Sequence, residues 1–142
     1  MKEQVLKSFE TMGFQLEEIE DFGYSFSYEG INYFYMPNDD DEDFLSIAVP
    51  AVMEITDENN TTAHMLMDKI NSTLKYVKAN KLCDSMWLFY ERELYGGEDF
   101  EKLLPRMIIH LEAAVYFYNH TIAQINDAYD DSDDDKSSDE SE

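Results

Sequence analysis

The sequence contains few cations and a single cysteine, and each shortage argues against a class of protein. Ten Lys and Arg accompany 32 Asp and Glu in 142 residues, which gives a formal net charge of −22. Nucleic-acid binding depends on clustered cations that neutralise phosphates, so this charge argues against it and against an acidic membrane surface. Cys83 has no partner for an intramolecular disulfide, which fits a reducing compartment.

Long apolar segments are also missing. The first residues, MKEQVLKSFETM, contain neither an apolar run nor a cleavage site of small residues, so they predict no signal peptide. The longest uncharged stretch, residues 113–126, is shorter than the ~20 residues of a membrane-spanning helix. We therefore expect a cytoplasmic protein.

The acidic residues are distributed unevenly along the chain. Residues 127–142 contain nine acidic residues and one Lys, so this segment carries −8 and residues 1–126 carry −14. Like charges repel and the segment has almost nothing to bury, which predicts a disordered acidic tail. Residues 1–126 are long enough for one domain with its own core, without help from a metal or a disulfide. The composition of the tail fits a function and mere solubility equally well.

The hydrophobic pattern predicts three helices and five strands. Apolar residues recur at helical spacing over residues 2–12, 61–74 and 104–125. Alternating apolar residues predict strands at 24–28, 31–36 and 44–49, and two more between residues 75 and 94. The fold class is therefore α+β, with a five-stranded antiparallel sheet in the order α-β-β-β-α-β-β-α.

Two hairpins fix which residues share a face of this sheet. A two-residue loop at Glu29-Gly30 pairs Tyr28 with Ile31, and the paired aromatics behind it should meet the helices. A loop at Asp84-Ser85 places Lys78 opposite Glu91. One face of this second hairpin then carries Val77, Ala79, Cys83, Met86, Leu88 and Tyr90, and the other carries Tyr76, Leu82, Trp87 and Phe89.

This order of elements has a counterpart among known folds. Together with INSTLKYVKANKL at 70–82 and WLFYERELYGG at 87–97, it resembles the YbjN-like family of sensory-transduction regulators, whose fold is that of the type III secretion chaperones. The resemblance covers residues 2–126. It implies helices packed on a twisted antiparallel sheet in small, acidic and often dimeric proteins, and chaperones of this fold hold extended segments of client proteins. It implies no catalytic residue.

Signatures of catalysis and metal binding are scarce. The sequence contains no HExxH, no GxSxG and no GxxxxGKS phosphate loop. His64 and Asp68 lie one helical turn apart, a spacing at which solvated pairs far outnumber catalytic ones. The acidic run 39–43 lacks the spacing of a calcium loop and is better explained as a solvated turn. We therefore predict no catalytic residue, no metal and no cofactor.

These observations favour a non-enzymatic protein-interaction module, chaperone-like or regulatory. Its apolar surface, framed by carboxylates, would bind a basic or amphipathic segment of a partner protein. We place this surface on the outer sheet face, at Phe34, Tyr76, Leu82, Trp87 and Phe89. Two alternatives stay open: a small enzyme or ligand-binding domain with a pocket of Tyr and His between sheet and helices, and a carboxylate surface that mimics DNA.

The final helix predicts a homodimer. Residues 113–126 carry no charge in a chain where 30% of residues are charged, so the outward side of this helix lacks the usual solvated residues. Tyr116, Phe117 and His120 are the candidate interface residues. The alternative is a helix that is buried all round by the sheet and the first helix.

Overall fold

The computed structural model describes the backbone of residues 1–140 and the side chains of residues 1–128. Three helices pack on one antiparallel sheet of six strands in the order β1-β2-β3-β4-β6-β5. The helices are α1 (Lys2–Thr11), α2 (Asn60–Thr73) and α3 (Phe100–Glu140). The strands are β1 (Glu17–Ile19), β2 (Gly23–Tyr28), β3 (Ile31–Tyr35), β4 (Phe44–Glu54), β5 (Val77–Leu82) and β6 (Ser85–Glu93).

The predicted α+β class and the three helices are confirmed, but the prediction of five strands is wrong. The extra strand is β1, which pairs with the start of β2. Its sequence is Glu-Glu-Ile and all three residues are exposed. A strand this short and this polar has no hydrophobic alternation for a sequence pattern to detect.

The β2–β3 hairpin has the predicted register. Tyr28 pairs with Ile31, Phe26 with Tyr33 and Tyr24 with Tyr35, around the two-residue loop at Glu29-Gly30. Both loop residues have positive φ, 53° and 77°, as a type I′ turn requires.

The β5–β6 hairpin turns one residue earlier than predicted. Cys83 and Asp84 form the loop, with φ of 51° and 62°, and Leu82 pairs with Ser85. This change shortens β5 and lengthens β6 by one residue each. The partner of every β5 residue therefore shifts by two residues along β6, and each residue stays on its predicted face of the sheet. Cys83 is consequently an exposed turn residue instead of a face residue, and Lys78 lies opposite Phe89 instead of Glu91.

The strand β4 continues beyond the predicted end at Val49. An irregularity between Val49 and Met53 contains Pro50 and Ala51, the latter with φ 48°. Past it, Met53 pairs with Met86 of β6. A bulge accommodates a proline inside a strand because the extra residues need not donate to the ladder.

All three helices cover the same face of the sheet. α3 lies between α1 and α2, contacts both, and also contacts β4, β5 and β6. The core beneath it combines fully buried residues of the helices and strands, among them Phe9, Leu66, Leu88, Met107 and Leu111. In the part of the chain that the structure describes, no helix combines the length and apolarity needed to cross a bilayer.

The backbone of α3 continues to Glu140, through the segment for which the sequence predicts disorder. Side chains from Tyr129 onward and the backbone of residues 141–142 lie outside the described residues. The disorder of residues 127–142 therefore stays a prediction.

Candidate protein-interaction surfaces

The sheet face turned away from the helices carries a row of four aromatic side chains, here called the outer aromatic row: Phe22, Phe34, Trp87 and Phe89. The Phe34 and Trp87 rings stack at 5.9 Å and 18°, and the Trp87 and Phe89 rings at 6.0 Å and 13°. Phe22 closes the row, with its ring 5.5 Å from Phe34 and 5.9 Å from Trp87. The row therefore crosses the sheet from β3 to β6.

A small residue in the strand between them lets these rings meet. Ala48 of β4 pairs with Phe34 on one side and with Phe89 on the other, and it is completely buried. Since paired residues share a face, the larger side chains close over the methyl group of Ala48. A larger side chain at this position would occupy the space in which the rings contact each other.

Phe22 is the functional candidate that the sequence pattern missed. It follows β1 in the turn that leads to Gly23, and 39% of its side chain is exposed. Gly23 has φ 146°, and a Cβ there would collide with the carbonyl oxygen of Tyr35. A glycine after an aromatic residue indicates such a turn. Because β1 was not predicted, however, the sequence pattern could not assign Phe22 to either face of the sheet.

Trp87 is 6% exposed although no helix covers it. Its ring contacts the rings of Phe22, Phe34 and Phe89, so the row buries its own centre. Phe34 and Phe89 are half-buried, and they and Phe22 form the accessible part. Three of the five predicted surface residues, Phe34, Trp87 and Phe89, therefore form one continuous cluster.

The other two predicted surface residues lie elsewhere. Leu82 is half-buried at the hairpin end of β5, opposite Ser85. Tyr76 precedes β5 with φ 71°, and its ring stacks on Tyr90 at 5.7 Å and lies 5.0 Å from His110 of α3. This positive φ turns Tyr76 toward the helix-covered side, so its placement on the outer face is wrong.

Two carboxylates flank the outer aromatic row. Glu17 pairs with Ser25, and Glu91 pairs with Ser46, which places both carboxylates on the outer face. Lys78, opposite Phe89 on the edge strand β5, brings one cation to the same face.

A groove adjoins the row at the sheet edge formed by Glu17 of β1 and the hairpin end of β2. Its volume is about 800 Å³, and Phe34 belongs to both its lining and the row. Phe14 and Tyr28 line the groove together with Glu17 and Glu29, and no Lys or Arg lines it. The groove thus extends the aromatic surface along the sheet edge, with acidic charge.

On the helix layer, the structure separates the three predicted dimer residues. Tyr116 is 58% exposed and His120 is also exposed. Phe117 is half-buried and packs against the core, because it lies beside the buried residues Ala114 and Tyr118 on the helix surface. Only part of its ring is therefore exposed to solvent. Ile109, 62% exposed, is an apolar surface residue of α3 that the sequence pattern assigned to no surface.

Burial, instead of a neighbouring charge, dominates the titration of the tyrosines. It raises the pKa of Tyr33, Tyr35, Tyr90 and Tyr118. The Tyr33 hydroxyl is buried without a hydrogen-bond partner among the described residues. Within the same residues no group of three His, Cys, Asp or Glu is arranged to hold a metal ion.

One carboxylate stands out in the loop between β6 and α3. Glu98 accepts hydrogen bonds from the backbone N–H of Tyr95 and of Gly96, both at 2.8 Å, and from the Arg92 guanidinium at 3.2 Å. The backbone bond from Tyr95 is the largest of the effects that lower the pKa of Glu98. This arrangement orders the Gly96-Gly97 loop.

The fold described above is also found in a solved structure. No protein-family model and no curated protein sequence matches the chain. A solved structure, “Crystal structure of YbjN, a putative transcription regulator from E. coli”, is similar with a TM-score of 0.64 and 10% identity, over 85% of this chain and 92% of that chain. An identity this low shows the fold alone. The predicted YbjN-like fold is thereby confirmed, and this chain has the fold of YbjN.

Proposed function

We propose that this protein is a non-enzymatic interaction module, regulatory or chaperone-like, that binds a basic or amphipathic segment of a partner protein. The outer aromatic row is the observation that carries the proposal. Three half-exposed rings lie on a face that no helix covers, packed on a buried Trp87 that holds them in place.

Aromatic side chains in this arrangement suit protein binding. Aromatic residues dominate binding energies at interfaces because they bury a large area and lose little side-chain entropy. The contacts to Trp87 fix the rings before a partner arrives, which reduces the entropy lost on binding. Apolar side chains of an extended segment would lie on these rings.

The charge of the surface selects the partner. Glu17, Glu29 and Glu91 adjoin the row and its groove, and the whole chain carries −22. Such a field accelerates association with cationic segments and disfavours acidic ones and nucleic acids. The description of YbjN as a regulator fits a role of this kind better than a catalytic one.

The single tryptophan provides the test. Trp87 lies within the row, so its emission reports directly on binding there. Three synthetic peptides serve as probes, one alternating Leu and Lys, one alternating Ser and Lys, and one alternating Leu and Glu. We expect the Leu/Lys peptide to change the Trp87 emission at lower concentration than the other two.

Two variants separate specific binding from general attraction to an acidic protein. Phe34→Ser should weaken binding of the Leu/Lys peptide, measured by anisotropy of a labelled peptide. Tyr95→Ser, which changes an aromatic that is 83% exposed and outside the row, should leave binding unchanged. Equal binding of the Leu/Lys and Ser/Lys peptides, or equal binding by both variants, would refute the proposal.

A second candidate is a small-ligand site at Tyr76. A positive φ is uncommon for a bulky residue, and such conformations are enriched at functional sites. The Tyr76 ring is 63% exposed and stacks on Tyr90 beside His110, which leaves an aromatic surface open to a planar ligand. Ligand-induced shifts of the Tyr76 ring resonances would support this site, and their absence across a panel of planar aromatic fragments would remove it.

A further inference from the structure

The solvent side of α3 carries a regular stripe of exposed residues, here called the α3 stripe. It consists of Lys102, Arg106, Ile109, Ala113, Tyr116, His120, Ala123 and Asp127. Every member is exposed, and the intervals between them alternate strictly between four and three residues. This spacing of 3.5 residues equals that of the seam of a left-handed coiled coil, with the apolar members of the stripe in its middle and charged ones at its ends.

Nothing in the described part of the chain covers this stripe. α1 and α2 flank α3 and the sheet lies beneath it, so the stripe faces away from the domain. Ile109 and Tyr116 are 62% and 58% exposed, although the chain is strongly acidic elsewhere. Between Ile109 and Ala123 the stripe contains no Asp, Glu, Lys or Arg.

The charges at the two ends of the stripe are opposite. Lys102 and Arg106 begin it and Asp127 ends it. Two stripes in parallel would therefore bring cation to cation and carboxylate to carboxylate. Two stripes in antiparallel orientation bring Lys102 of each copy to Asp127 of the other, so the ends favour a second copy that runs in the opposite direction.

In the same orientation, every residue of one α3 stripe faces a residue of the α3 stripe of the second copy. With the two-fold axis between Ala114 and Val115, four kinds of facing pair arise, and each occurs twice. They are Ala113 with Tyr116, Ile109 with His120, Arg106 with Ala123, and Lys102 with Asp127. At the centre a small side chain faces a large one, which allows close helix packing.

We propose that two copies of this chain pair through an antiparallel contact of their α3 stripes, in this register. From Lys102 to Asp127 the contact is about 37 Å long at the rise of ~1.5 Å per residue. It buries the exposed Ile109 and Tyr116 against the second copy. This inference is independent of the proposed function, since the α3 stripe and the outer aromatic row lie on opposite sides of the sheet.

Light scattering on the purified full chain gives the first test. The expected mass is twice the 16.6 kDa of one chain in the micromolar range. Tyr116→Glu should shift the protein to the monomer, whereas Tyr95→Glu, an equal change outside the stripe, should not. A monomeric wild type would overturn the proposal, as would a dimer that persists in a Tyr116→Glu variant with a native circular dichroism spectrum.

Charge reversal tests the register, and it uses exposed residues that do not contribute to folding of the core. Lys102→Glu and Asp127→Lys should each weaken the dimer about tenfold, because each places like charges opposite one another twice. The double variant restores both facing pairs and should regain the wild-type dissociation constant. Failure of the double variant to recover, or single variants that dimerise like the wild type, would rule out the antiparallel register, whether or not Tyr116→Glu folds.

Discussion

The two faces of the sheet use similar residues in different ways. On the helix-covered face, the rings of Phe26 and Tyr35 pack against Phe9 of α1 and are almost completely buried. On the outer face, the rings of Phe34 and Phe89 cover Trp87 but stay half-exposed themselves. The comparison teaches that aromatic content alone does not define a core. What matters is whether a second layer removes the rings from water.

The same substitution on the two faces should give the largest difference. Leu111 of α3 is completely buried in the core, and Leu82 is half-buried on the outer face. Leu111→Ala should lower the free energy of unfolding by about 3 kcal/mol, because it leaves a cavity. Leu82→Ala should cost about 1 kcal/mol or less, since water can fill the space. Urea denaturation at one protein concentration measures both, and equal losses would contradict the distinction between the faces.

Removal of the Phe22 ring should then show that the outer aromatic row shields Trp87 from solvent. Phe22→Ala uncovers the indole of Trp87, which is otherwise 6% exposed. We expect a red-shifted emission that acrylamide quenches more readily, with a loss of about 1 kcal/mol in unfolding free energy. Tyr28→Ala, at another exposed aromatic remote from Trp87, is the control. An unchanged Trp87 spectrum in the Phe22 variant would mean that something else covers the indole.

Among the described residues, the helix-covered face contains one buried hydroxyl without a hydrogen-bond partner. The Tyr33 hydroxyl is buried without a partner among the described residues, whereas the hydroxyl of Tyr35 lies 3.8 Å from the sulfur of Met1. Tyr33→Phe removes a desolvated polar group, so it should leave the free energy of unfolding unchanged or raise it by up to about 1 kcal/mol. Tyr35→Phe is the matched control and should not stabilise. A clear loss in the Tyr33 variant would reveal a partner for its hydroxyl.

The smallest effect concerns the loop that joins the sheet to α3. The pKa of Glu98 is lowered in the folded protein, so the ionised carboxylate stabilises the fold above the ordinary carboxyl pKa. That contribution disappears as the pH falls through the lowered pKa. Glu98→Gln should therefore reduce the Tm at neutral pH and converge with the wild type in acid. Glu93→Gln serves as the control, and a difference that is independent of pH would exclude this linkage.

Patterns within single elements were predictable, and contacts between distant ones were not. The register of β2–β3 followed from local turn chemistry and alternation, and the faces of β5–β6 were insensitive to the error at Cys83. β1 escaped detection because its pairing with β2, and not its own sequence, makes it a strand. The position of Phe22 depended on that strand.

Backbone conformation and helix rotation explain the errors in the predicted surfaces. A positive φ moved Tyr76 to the helix-covered side, and no residue-type pattern indicates that conformation for a tyrosine. Phe117 was predicted as exposed from its lack of charged neighbours, but its rotation around α3 directs it to the core. Tyr116 and His120 are solvent-exposed because they lie on the side of α3 opposite its buried core residues, whereas Phe117 lies between the two sides.

The placement of α3 and the outer aromatic row on opposite sides of the sheet has a consequence for avidity. Two chains joined through α3 present two rows that face away from each other. A partner with two recognition segments on a long enough linker would bind the second row intramolecularly, at an effective concentration that linker length sets. Shortening the linker below the span between the rows would abolish this gain without any change in the contacts of either segment.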